Sequence, residues 1–327
     1  MFTDRALGKQ AGRFVWLSID TEKDQNRAFV ERHPIDVWPT LMVIDPATDQ
    51  PVLRWAGSAT VPELEQLLDD GERAVHGEDP LGRADRLAAE GKPADAARVY
   101  REALPSVPAG KRARVVESLI FALDRTRDTE GCAALAQKWI DKLRGPALVN
   151  VVGTGLGCAL NAPAGAPWKV AAVAALRTGA EAAVDAPGVL ADDRSGLYEV
   201  LVEAHKQAGD AAGARALARR WSTFLEAEAA RAGTPEARAS FDPHRVVAAI
   251  AGGEPARAIP ELQASERELP ADYNPAARLA LLYQALGRND DALAACDRAL
   301  AKVYGPRRKR LADLKTRLLE QKRAASQ

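Results

Sequence analysis

Three cysteines are the residues of this chain best suited to nucleophilic or redox chemistry: Cys132, Cys158 and Cys296. A dithiol that exchanges with other disulfides, or a zinc site, needs cysteine or histidine partners at short spacing, as in Cys-X-X-Cys. None of the three has such a neighbour. Free cysteine is also among the residue types most often buried. We therefore expect three small buried side chains, and the odd count with wide spacing argues against a disulfide framework.

Other residues that could do chemistry are not arranged for it. The run 153–157 contains three glycines but lacks the Gly-X-Gly-X-X-Gly spacing of a dinucleotide site. Asp20 and Glu22 are expected at a solvated strand end, and His205 at a packed helix position. The remaining histidines share no spacing, and no Gly-X-Ser-X-Gly elbow occurs. The sequence therefore predicts no catalytic residue, no metal ligand and no cofactor.

The N-terminal residues have the pattern of a small α/β unit. An apolar run at 14–20 precedes a polar stretch that includes Phe29 and Val30, and further apolar runs follow at 41–44 and 52–55. Residues 61–68 are amphipathic with helical spacing. This order predicts a strand, a helix, two strands joined as a hairpin, and a closing helix.

A proline stands directly before the hairpin, in Trp38-Pro39-Thr40. A cis X-Pro bond costs only about 0.5–1 kcal/mol relative to trans, so folds use it for tight kinks. Residues 14–69 resemble the distal half of the thioredoxin family, and this tripeptide matches its cis-proline loop. The resemblance implies an incomplete thioredoxin-like unit over 1–75 and a peptide-contacting role for Trp38, Pro39 and Thr40. Ordinary packing of Trp38 is the alternative.

The family's Cys-X-X-Cys has no counterpart in this sequence. The helix that carries it would end near residues 2–4. The strand before that dithiol lies, in the family, between those matching 14–19 and 40–44, so without it both strands lack a partner. Two interpretations follow: a non-catalytic protein, or a thiol-disulfide oxidoreductase whose dithiol lies on a segment upstream of Met1. Whether the protein is an enzyme is therefore left open.

Beyond the Gly/Pro/acid cluster at 76–80, alanine-rich helical periodicity recurs about every 34 residues and resembles tetratricopeptide repeats. The first copy carries the turn glycine, small residues, aromatic and proline of the pattern as Gly91, Ala96, Tyr100, Ala103 and Pro108. The last copy carries Tyr283, Gly287, Ala292 and Ala299. Weaker copies turn at Gly209, Gly253 and Arg127-Asp128. Residues 145–188 are helical in composition but do not align with the repeat.

This second resemblance implies an all-α solenoid over 76–327, with a groove that binds protein segments. Residues 307–327 are expected to form a capping helix with one apolar stripe: Leu311, Leu314, Leu318 and Leu319. Eight basic against two acidic residues in this segment suit a solvated cap. An acidic-peptide or nucleic-acid patch is the alternative, although only Tyr304 supplies an aromatic nearby.

Composition limits the remaining possibilities. The 327 residues have a formal net charge of zero, so no global field attracts nucleic acid or anionic membranes. No apolar run reaches the roughly 20 residues of a membrane span, and Met1–Lys9 lacks signal-peptide features. We expect a cytoplasmic protein, or an exported one if an upstream segment carries a signal. The predicted function is that of a protein-binding scaffold or chaperone-like protein with protein or peptide clients.

Overall fold

The computed structural model describes residues 4–35, 37–76 and 80–325, which are mostly helical with one small antiparallel sheet. Its internal contacts form two units. The first contains residues up to Leu17 together with Ile35–Ala204, and the second contains Ser18–Pro34 and the chain from His205 onward. The predicted boundary after residue 75 lies within the first unit. The predicted linker residues Gly77–Asp79 lie outside the described ranges.

The sheet belongs to the first unit and contains two of the predicted strands. Strand β1 (Thr40–Asp45) pairs with β2 (Gln50–Ala56) so that Thr40 lies opposite Ala56 and Asp45 opposite Gln50. Helix α2 (Val61–His76) covers one face of the hairpin. Its Gly71 lies so close to β1 that an added Cβ would come within 2.7 Å of Val43. The predicted hairpin and closing helix are therefore confirmed.

The strand predicted over 14–20 does not form. These residues have no regular secondary structure, and Val15 and Leu17 are 88% and 74% exposed. In the described ranges the sheet has only two strands, and residues 14–20 pair with neither of them. A lone strand leaves its backbone groups unpaired, which is why β-prone residues alone do not produce one. The predicted helix near Phe29 does form, as α1 (Arg27–Arg32) in the second unit.

Consecutive helices of the first unit are packing neighbours. They are α3 (Pro80–Ala89), α4 (Pro93–Ala103), α5 (Ala109–Arg125), α6 (Thr129–Trp139), α7 (Gly145–Asn161), α8 (Lys169–Ala183) and the start of α9 (Ala191–Gln207). From α3 to α8 each helix packs on the next, and α5 and α6 also contact α7 and α8 respectively. This is the contact pattern of stacked helix pairs. The segment 145–188, which did not align with the repeat, forms the pair α7–α8.

The hairpin and α2 share a core with the first helix pairs. Trp55 of β2 meets Phe121 of α5 edge-on, with 6.0 Å between ring centroids. Asp70 of α2 is 6% exposed and lies 3.4 Å from the guanidinium Nε of Arg114. Arg114 also donates to the buried Asp85 of α3 at 2.8 Å. These buried charges form ion pairs across three helices, so the N-terminal residues pack as part of the helical unit.

The second unit contains a second set of stacked helices. They are α10 (Ala211–Arg231), α11 (Pro235–Ala239), α12 (Asp242–Ala251), α13 (Ile259–Glu268), α14 (Asn274–Ala285), α15 (Asn289–Lys302) and α16 (Arg307–Ala325). Helix α12 packs on α10 and α14, and α15 lies between α14 and α16.

The predicted inter-helix turns have residues with positive φ: Gly91, Arg127, Gly209, Gly253 and Gly287. These turn predictions are confirmed.

Helix α16 packs on α15 as the predicted capping helix. Leu311, Leu314 and Leu318 are buried, whereas Leu319 is 38% exposed and lies off the apolar stripe. Four of its basic side chains form ion pairs with acidic residues: Arg307 with Glu22, Lys309 with Asp313, Lys315 with Asp297 and Lys322 with Asp290. At least four of the eight basic side chains of this segment therefore form ion pairs within the chain. None of the described helices is long and apolar enough to cross a membrane.

Candidate binding site

The Trp38–Pro39 peptide bond is cis, as the sequence predicted. The Pro39 carbonyl accepts a hydrogen bond from the Gly57 amide at 2.8 Å, and the Thr40 hydroxyl donates to the Val37 carbonyl at 2.6 Å. These bonds hold the loop against the end of β2. The Trp38 side chain is 58% exposed, which argues against simple packing. Peptide contact by Trp38, Pro39 and Thr40 stays a prediction.

The three cysteines are buried as expected, but two of them are bonded. Cys132 and Cys158 form a disulfide across 26 positions, so the expectation of three unpaired cysteines was wrong. Stacking of α6 on α7 brings them together, which no spacing rule for short motifs could detect. Cys296 is a free thiol, and its burial raises the pKa, which disfavours the reactive thiolate.

The other chemical candidates have structural partners. His205, at the end of α9, places its ring Nδ1 2.8 Å from an Asp210 carboxylate oxygen, and this carboxylate also caps α10. The glycines of 153–157 lie inside α7, where Gly155 allows close approach of α6: an added Cβ would come within 2.2 Å of that of Ala136. In the described ranges no three metal-ligating side chains form a cluster.

The residues predicted from the repeat pattern lie mostly in the core. Ala96, Ala292 and Ala299 are fully buried. Tyr100, Ala103 and Tyr283 are also buried, each at most 7% exposed. The Tyr100 hydroxyl donates to Asp85, and Tyr283 lies beneath the guanidinium of Arg288. The repeat pattern implies that Pro108 stops the second helix of the first copy, and the structure differs. Helix α4 already ends at Ala103, and Pro108 is the residue that precedes α5.

A cavity of about 570 Å³ opens between three consecutive helices of the first unit. Its walls come from the end of α4 and the residues after it, from one face of α5, and from α6. The apolar lining consists of Leu104, Pro105, Leu119, Leu123, Leu135 and Trp139, with Ala134 and Gly131 beside them. We call this cavity the α4–α6 pocket. Leu119 and Leu123 belong to the buried core, so the floor of the pocket is rigid.

The polar groups of the α4–α6 pocket are cationic. Arg101, Arg112 and Lys138 line it from α4, α5 and α6, and all three are exposed. No carboxylate is among the lining residues; the Asp128 carboxylate lies 3.9 Å from Arg101. The indole Nε1 of Trp139 is shielded from solvent and has no hydrogen-bond partner in the described ranges. The pocket therefore offers donors and positive charge above an apolar floor.

The α4–α6 pocket has no motif in the sequence. Its cations are 11 and 26 positions apart along the chain, on three helices, and each alone is an ordinary exposed helix residue. The one available signal is the large aromatic Trp139 at the end of α6. The residues become a site only because α4, α5 and α6 pack side by side.

No family model matches this chain, and no curated protein matches it. The resemblances to thioredoxins and to tetratricopeptide repeats therefore rest on the residues alone.

Proposed function

We propose that this chain is a non-catalytic scaffold that binds segments of other proteins. The α4–α6 pocket is the observation that carries the proposal. Binding pockets typically enclose about 300–1,000 Å³, with a mostly apolar lining and a few polar groups that fix orientation. The pocket has that size and that chemistry. Stacked helix pairs hold it on a rigid surface, which lowers the entropic cost of binding a flexible segment.

The lining chemistry supports binding rather than catalysis. The lining residues contain no thiol, imidazole or carboxylate, which are the groups that most often act as nucleophiles or general acids and bases. The buried disulfide and the buried Cys296 are not placed for exchange with a client. What the pocket can do is hold an apolar side chain and orient the polar groups around it.

Selection from a displayed library of short random peptides tests the proposal. The wild-type chain should enrich peptides, and Leu135→Asn should abolish the enrichment because it places an amide in the apolar lining. Leu281→Asn is the matched control, since Leu281 is a partly exposed leucine of α14 outside the pocket. Circular dichroism establishes that both variants fold. No enrichment by the wild type, or equal enrichment by Leu135→Asn, would contradict pocket-based binding.

A second candidate is a thiol-disulfide oxidoreductase whose Cys-X-X-Cys lies on an upstream segment. Two observations favour it: the exposed loop at the cis Trp38–Pro39 bond, and an edge of β1 that pairs with no strand in the described ranges. An added strand beside β1 would supply the missing backbone partners. The test is the intact mass of the native protein from its source cells. A species heavier than 35.0 kDa, with sequencing that places a dithiol upstream, would favour this candidate.

A further inference from the structure

We infer that the α4–α6 pocket selects an acidic partner segment, one in which carboxylates flank one or two large apolar side chains. This inference rests on the proposed function, because it presumes that the pocket binds protein segments. It goes further by naming the chemistry of the segment. It also assigns Arg101, Arg112 and Lys138 as the residues that determine specificity.

The charge of the lining favours an anionic ligand. Three cations and no carboxylate line one cavity, although the chain as a whole has equal numbers of acidic and basic residues. Arg112 uses its Nε to donate to the Val107 carbonyl at 2.9 Å, which anchors the guanidinium at the pocket. The Asp128 carboxylate lies 3.9 Å from Arg101, one of the three cations, so the lining keeps an excess of positive charge. A ligand with several carboxylates is therefore the complementary partner.

The apolar lining requires an apolar group in the ligand as well. Six large apolar residues line the pocket, so a purely acidic segment would leave this surface against water. A leucine or phenylalanine of the partner would bury it. Acidic and apolar groups must therefore occur together in the ligand.

The number of negative charges on the ligand distinguishes a protein segment from a small amphiphile. A free fatty acid also combines a carboxylate with an apolar body, but it brings one negative charge to three cations. A segment with several Glu or Asp residues around a Leu or Phe can pair with all three. Each of the cations is exposed, so the carboxylates need not be buried to reach them. We therefore commit to an acidic protein segment.

The experiment uses fluorescence anisotropy with labelled short peptides and the full chain. The first probe contains Glu, Leu and Phe; the second replaces every Glu by Gln; the third replaces every Glu by Lys. We expect the first probe to bind best, and its affinity to fall with rising salt, because surface charges are screened over about 8 Å at 0.15 M. Lys138→Glu should weaken this probe about tenfold or more. Arg83→Glu, which changes an exposed cation of α3 outside the pocket, is the matched control and should bind like the wild type.

Several outcomes would overturn the inference while leaving the proposed function intact. One is equal affinity for the Glu and Gln probes. Another is an equal loss of affinity for the Glu probe in Lys138→Glu and in Arg83→Glu. Enrichment of neutral or basic sequences in the library selection would do the same. Dodecanoate that binds and is not displaced by the acidic probe would assign the pocket to a small amphiphile and would contradict the proposed function as well as the inference. If no peptide in the library is enriched at all, the proposed function itself is wrong.

Discussion

Cys132 of α6 and Cys158 of α7 are joined by a disulfide bond that ties together two consecutive helices of the first unit. The Cα atoms of the two residues are 6.2 Å apart. Cys132 lies in the same helix that contributes Leu135, Lys138 and Trp139 to the α4–α6 pocket. The bond therefore fixes α6, one wall of the proposed binding site, to the helix behind it.

Removal of this disulfide should destabilise the protein. A bond that closes a loop of this length restricts the unfolded chain and typically contributes about 2–4 kcal/mol. We expect Cys132→Ala with Cys158→Ala to lower the free energy of unfolding in urea by that amount. A reductant should lower the wild-type midpoint and leave the double variant unchanged. Cys296→Ala serves as the control, because it removes a buried thiol that is not part of the disulfide. If the reductant lowered the midpoints of the wild type and the double variant equally, the disulfide would be contradicted.

Gly287 tests the predicted turn of the last repeat. It has φ of 68°, and an added Cβ would have no atom within 4 Å, so any cost of substitution comes from the backbone alone. We expect Gly287→Val to lower the free energy of unfolding by about 1–2 kcal/mol. Gly287→Asn is the matched control, since asparagine tolerates positive φ, and it should cost clearly less. Equal melting temperatures for the two variants would count against the left-handed turn as the source of the effect.

Local signals predicted the parts of the fold that depend on local physics. Gly91 and Gly287 lie at the turns where they were expected, because these two turns have positive φ, which glycine adopts without steric cost. The hairpin was also predicted from a local signal, two adjacent apolar runs. The prediction of a strand at 14–20 was wrong, because a strand also needs a neighbouring strand, which its own residues do not supply.

Contacts between distant residues were beyond sequence reasoning. The disulfide and the α4–α6 pocket each join residues on different helices, so their existence depends on how α4 to α7 pack. Glu22 is a further example. It was expected at a solvated strand end, yet it bonds to residues about 250 and 285 positions away. A periodic pattern over a short window of sequence indicates a helix or a strand, but it does not indicate which distant residues come into contact.

Glu22 should anchor the segment Ser18–Pro34 within the second unit. Its carboxylate accepts hydrogen bonds from the Tyr273 hydroxyl and from the Arg307 guanidinium, the latter at 2.6 Å. Its side chain is only 19% exposed, so these charge-assisted bonds are partly shielded from water. We expect Glu22→Ala to remove about 1–3 kcal/mol of local stability.

Hydrogen exchange measured by mass spectrometry tests this anchor. Amides of residues 18–34 should exchange about tenfold faster or more in Glu22→Ala, since about 1.4 kcal/mol corresponds to a factor of ten. Glu31→Ala is the matched control, because Glu31 is exposed in the same segment. Unchanged exchange in Glu22→Ala would show that the segment is held by other contacts.

Glu117 should make stability depend on pH. Burial raises the pKa of this carboxyl from 4.5 to about 8, the Asn150 amide and Arg114 oppose the shift, and Glu63 and Asp193 add to it. Burial likewise raises the pKa of Asp193 to about 7. Because the folded pKa exceeds the unfolded one, the folded state holds the proton that the unfolded state has lost. The stability contributed by Glu117 is therefore full below pH 4.5 and is lost as pH rises to about 8.

Glu117→Gln isolates this contribution, since glutamine is uncharged at every pH and can still accept from Asn150, as Glu117 does at 3.0 Å. The free energy of unfolding of wild type and variant should be similar near pH 5. By pH 8 the variant should be more stable by a few kcal/mol, given about 1.4 kcal/mol per pKa unit. Urea unfolding across this range measures the difference. Glu199→Gln, at an exposed position of α9, is the control and should show no such divergence from wild type. If the free energies of unfolding of wild type and Glu117→Gln differed by the same amount at every pH, the buried carboxyl would not titrate in this range.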